Sequence, residues 1–93
     1  MLVIIKSGPA TPEGERAVKL AGEMGSDICL VQNAVYFAHS SRLGNFGGKV
    51  YALDEDMKLR GLIKDMGLNG IKTVNYTDMV DLMAASDDVV GMF

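Results

Sequence analysis

At 93 residues, 48% of them hydrophobic and with a formal charge of −3, the chain has room for one domain, residues 1–93, and for no separate catalytic module. The acidic balance argues against a nucleic-acid partner, because backbone phosphates are bound by positive surface. One cysteine permits neither an internal disulfide nor, by itself, a structural zinc site.

Met1-Leu2-Val3-Ile4-Ile5 is an apolar run closed by Lys6-Ser7-Gly8-Pro9, the pattern of a strand buried on both faces and ended by a turn. It is too short for a signal-peptide core or a membrane span, so a cytoplasmic protein without membrane contact is expected. Thr11 before Pro12 predicts a helix start, Glu13 and Glu15 suit its positive end, Ala17, Leu20, Ala21 and Met24 make its inner stripe, and Gly25 stops it.

Ile28-Cys29-Leu30-Val31 predicts a second buried strand. It breaks at Gln32-Asn33 and resumes as Ala34-Val35-Tyr36-Phe37-Ala38, a short helix that fails in the glycine-bearing stretch from Ser40 to Gly48. Lys49-Val50-Tyr51-Ala52-Leu53 reads as the third strand, with Asp54 as the cap of a helix through Arg60 that Gly61 ends. Leu62 to Gly70 reads as an irregular continuation.

Ile71 to Val74 is the fourth strand, and Asn75 with Asp78 three residues on starts the next helix. Its Tyr76, Met79, Val80, Leu82 and Met83 span more than one face, which predicts burial on two sides. Val89-Val90-Gly91-Met92-Phe93 can add an edge strand. Strands alternating with helices predict an α/β fold: a three-layer α/β/α sandwich around a largely parallel sheet of four to five strands. Counted with eleven glycines and without three tyrosines, the apolar fraction exceeds the roughly 45–50% usual for a soluble domain. Apolar surface should therefore remain for a partner, and self-association is expected.

Ligands of open α/β sheets gather at the carboxyl ends of the strands, which singles out Gln32 and Asn33. Cys29, the candidate nucleophile, lies four residues before Asn33 and so about 13 Å below that edge, among apolar neighbours that raise a thiol pKa. It reads as a structural cysteine; pairing with His39 at the end of the second helix would need thiolate access and a group orienting the imidazole. Asp54-Glu55-Asp56 serves a helix start better than a metal, since adjacent helical residues diverge. The same holds for Asp78, Asp81, Asp87 and Asp88. Gly44-Asn45-Phe46-Gly47-Gly48 precedes a strand, whereas phosphate loops follow one, and it reads as a connector. No metal or cofactor is implied.

Three segments together resemble the DsrE/DsrF/DsrH-like sulfur-relay family, most closely its small DsrH or TusB branch. They are Ile28-Cys29-Leu30-Val31-Gln32-Asn33-Ala34-Val35-Tyr36, then Val50-Tyr51-Ala52-Leu53-Asp54-Glu55-Asp56 with Leu59-Arg60-Gly61, then Val74-Asn75-Tyr76 with Met79-Val80-Asp81-Leu82. The resemblance implies a cytoplasmic domain that assembles with itself or with sister subunits to pass persulfide sulfur, for tRNA thiolation or dissimilatory sulfur oxidation. Its sulfur-carrying members have a cysteine where the third strand meets its helix, and this chain has Ala52-Leu53-Asp54-Glu55 there. Some DsrH members carry one inside the first helix, where this chain has Ala17-Val18-Lys19-Leu20.

The expectation is a relay subunit that is not itself catalytic. Gln32, Asn33, Tyr36 and Asp54 mark its ligand or interface edge. The alternatives are a sulfurtransferase using Cys29 and a small-ligand module using Gln32, Asn33 and the Ser7-Gly8 turn.

Overall fold

The apolar runs foreseen in the sequence pair as one parallel sheet in the computed structural model, which describes residues 1–39, 43, 46–62 and 71–91. The strands are β1 (Leu2–Ile5), β2 (Asp27–Leu30), β3 (Val50–Leu53), β4 (Ile71–Val74) and β5 (Val89–Val90). They lie side by side in the order β4-β3-β2-β1-β5. Between them run the α-helices α1 (Pro12–Glu23), α2 (Asp54–Leu59) and α3 (Tyr76–Ala85), and a 3-10 helix, η1 (Gln32–His39). The second helix is thus wound more tightly than the sequence predicts.

From β1 to β4 the chain steps across the sheet in one direction, and then α3 carries it back to β5 on the far side of β1. Crossovers of one hand put helices on one face while the chain advances and on the other when it reverses. Alternate strand residues divide accordingly. Val3, Ile5, Ile28, Leu30, Val50 and Ala52 form one core with Ala17 and Ala21 of α1, Ala34, Val35, Phe37 and Ala38 of η1, and Met57 of α2. Leu2, Ile4, Cys29, Val31 and Leu53 form the second, with Tyr51 and with Met79, Leu82 and Met83 of α3 packed against them.

The Thr11 cap forms as predicted: its side chain accepts the Gly14 amide at 3.1 Å, and Pro12 opens the helix. Gly25, at φ 66°, ends the segment in the left-handed region. The inner stripe differs from expectation. Leu20 and Met24 are 41% and 40% exposed, while Gly14, Ala17 and Ala21 are buried. Gly14 leaves no room for a Cβ against the carbonyl oxygens of Ser7 and Gly8, so α1 lies close on its small residues and turns the two larger side chains outward.

Two other expectations are corrected. Asp54 does not cap α2: it is the first helical residue, the cap position belongs to Leu53, and no side chain caps that end. Nor is α3 buried on two sides within the chain. None of its residues is buried, and Tyr76 and Val80, one turn apart, are exposed. Among the described residues, one helix lies on this side of the sheet against three elements on the other, and none covers Tyr76 and Val80. The expected continuation over residues 63–70 lies outside the described residues, as do the last two positions of the edge strand and Gly44 and Asn45 of the glycine-bearing loop.

Candidate functional site

Four polar residues meet where β2 and β3 end. The end of β2 is fixed to β1 by the Val31 amide donating to the Ile5 carbonyl at 2.9 Å, and Ala34 N–H follows onto the Lys6 carbonyl at 3.2 Å. Between them the backbone turns so sharply that Gln32 takes φ 51°. Its amide therefore points sideways toward α2 and donates to Oδ2 of Asp56 at 2.7 Å. Asp56 is buried at 7% exposure, a position a carboxylate holds only when its charge is met.

Arg60, one helical turn along, meets it. The guanidinium Nη1 lies 3.6 Å from Asp56 Oδ1 and donates to the Asp56 carbonyl at 3.2 Å. Its Nε donates to Oδ1 of Asn33 at 3.1 Å. A cluster of this kind, with donor and acceptor matched around one buried charge, rigidifies the elements it joins.

The predicted edge residues are therefore not brought to one point. Gln32 and Asn33 join Asp56 and Arg60, which sequence reasoning placed only in a first turn and at a helix end. The signal available was the four-residue spacing of Asp56 and Arg60; nothing local says that the pair faces η1. Tyr36 stands 41% exposed on η1. Asp54 turns the other way, pairing with Lys58 at 3.0 Å. It lines an open cleft above β3 and β4 with Leu62, Thr73, Asn75 and Asp78. Asn75 caps α3 as expected, accepting the Asp78 amide at 2.7 Å. α2 leaves β3 on one face of the sheet and α3 leaves β4 on the other, so the position where open α/β sheets place their ligand crevice is between the ends of β3 and β4, beside the polar cluster.

Cys29 sits inside the sheet, opposite Ile4 and Tyr51. It is fully buried in the core beneath α3. Burial pushes its thiol up from 9.0 to about 11, the direction that suppresses thiolate at neutral pH. The buried residues of η1, Ala34, Val35, Phe37 and Ala38, pack on the opposite face of the sheet from Cys29. Among the described residues no group of three or more His, Cys, Asp or Glu side chains is placed to hold a metal ion, and no helix is long and apolar enough to cross a membrane. The arrangement at the edge can hold elements in place and present polar surface; among the described residues it brings no cysteine thiol to that surface.

A family model described as "DsrH like protein" matches residues 7–89. Among curated proteins none matches the sequence. The crystal structure of the ychN protein from E. coli is similar with a TM-score of 0.80, covering 99% of this chain and 97% of that one at 14% identity. That likeness shows a shared fold.

Proposed function

Because this chain belongs to the DsrH-like family, we propose that it serves as a subunit of a sulfur-relay assembly and supports persulfide transfer without carrying sulfur itself. The observation that carries the second half is the state of the single thiol. Cys29 is fully buried in mid-strand, its thiol held up to about 11, and the β3-to-α2 junction offers Leu53 and Asp54 in place of a cysteine. A persulfide carrier needs an accessible thiolate that can attack and be attacked.

In this reading the protein works in the cytoplasm beside copies of itself or sister subunits, binds no nucleic acid directly, and supports tRNA thiolation or dissimilatory sulfur oxidation. Exposed Tyr76 and Val80 on α3, and Tyr36 and Leu59 beside the polar cluster, supply apolar surface suited to such association. The thiol reading is tested by maleimide labelling of the native protein. Cys29 is expected to label only after denaturation; rapid stoichiometric labelling of the folded protein would favour the sulfurtransferase alternative.

A further inference from the structure

A single helix, about 10–12 Å wide, cannot cover a five-stranded sheet that spans about 19 Å. α3 packs on Leu2, Ile4, Cys29, Val31 and Leu53, and beside it part of β3 and β4 stays open. Tyr51 and Lys72, partners in register, form the floor of the cleft that remains, together with Val74; Asp78, Asp81 and Leu82 of α3 form its wall. These three wall residues share one face of the helix, away from exposed Tyr76 and Val80.

On the other side of the sheet α1 carries a face of opposite charge. Gly14, Ala17 and Ala21 turn inward, which leaves Arg16, Lys19, Leu20 and Met24 exposed side by side. Arg16 and Lys19 are three residues apart, as are Asp78 and Asp81. None of these four charged side chains has an ion-pair partner among the described residues. The helices also match in length, α1 with 12 residues and about 18 Å, α3 with 10 residues and about 15 Å.

We propose that the cleft between α3 and the β3–β4 surface is the docking site for α1 of a second copy of this chain. Laid antiparallel to α3, the incoming helix sets Lys19 against Asp78 and Arg16 against Asp81, lowers Leu20 onto the apolar floor and brings Glu13 toward Lys72. The antiparallel sense follows from the right-handed winding: with α3 presenting Met79 and Met83 to the sheet and Asp78 to the cleft, only that sense turns the basic pair to α3 and Leu20 to the sheet together. A second α3 is disfavoured there, because like charges would meet. The contact joins unlike faces, and each copy carries both. This inference rests on the self-association in the reading above and names its surface; it is independent of whether Cys29 carries sulfur.

Sedimentation velocity of the full chain over a concentration series tests it, with circular dichroism as the check on folding. The unsubstituted chain is expected to associate. Reversing the basic pair, Arg16→Glu with Lys19→Glu, or the acidic pair, Asp78→Lys with Asp81→Lys, should weaken association about tenfold or more. An equimolar mixture of the two reversed chains should associate again, since each supplies the face that fits the other, and so should the chain with all four changes. If the acidic-pair variant does not fold, Asp81→Lys and Arg16→Glu take the place of the pairs. Association that survives both reversals, or that neither the mixture nor the fourfold variant restores, overturns the surface alone; an unsubstituted chain that stays monomeric removes self-association as well.

Discussion

The amide of Gln32 donates to Oδ2 of Asp56 across 2.7 Å and a sequence separation of 24 residues. It ties the end of β2 to the first turn of α2. A hydrogen bond to a buried carboxylate contributes about 1.5–3 kcal/mol. Asp56→Ala should therefore lower the free energy of unfolding by about that amount, and Asp56→Asn, which keeps an acceptor oxygen, by less. Urea titration reads both; equal stability for Asp56→Ala and the unsubstituted protein would remove the bond from any structural role.

Cys29 makes stability depend on pH in the alkaline range. Its pKa is raised from 9.0 in the unfolded chain to about 11 in the fold, so the folded protein retains a proton that the unfolded chain releases. Its stabilising contribution is complete below pH 9 and is lost as pH rises through 11, by about 3 kcal/mol over the whole window. Tyrosines and lysines titrate there too. The measure is therefore the difference in slope between the unsubstituted protein and Cys29→Val, with the variant expected to fall less steeply.

Gly14 is where α1 meets the turn after β1. A Cβ there would stand against the carbonyl oxygens of Ser7 and Gly8, groups that cannot give way without moving the turn. Gly14→Ala should cost about 1–3 kcal/mol despite alanine's better helix propensity. A rise in the thermal midpoint would show that α1 has slack against the sheet.

Lys58 and Asp54 form the contrasting pair, 3.0 Å apart with the lysine side chain 75% exposed. Exposed pairs at this spacing contribute at most a few tenths of a kcal/mol. Lys58→Ala should leave the denaturation midpoint within error, which also makes it the control for variants of Asp56 and Arg60.

How far these features are legible in the sequence depends on how local their causes are. β1 to β3 follow from apolar runs, because strands of a parallel sheet are covered on both faces, whereas β4 carries Lys72 and Thr73 and is only partly buried. The Thr11 and Asn75 caps follow from side chains that reach only three residues. Leu20 and Met24 do not behave as their spacing predicts, since the approach of α1 is set by Gly14 against a distant turn. The same holds at the candidate site. Gln32 and Asn33 are visible as a polar break in an apolar run, yet their partners Asp56 and Arg60 become neighbours only when α2 packs on η1. Tyr76 and Val80 show the remaining limit, because their pattern predicts cover that the described residues do not supply.

The central claim, that this DsrH-like subunit supports sulfur relay without carrying sulfur, is tested most directly by intact-mass spectrometry. The full chain is incubated with a cysteine desulfurase and its substrate, beside Cys29→Ser. The account predicts no added sulfur on the folded protein, with it and Cys29→Ser each staying at its own unmodified mass. A stoichiometric gain of one sulfur atom that disappears in Cys29→Ser would contradict it.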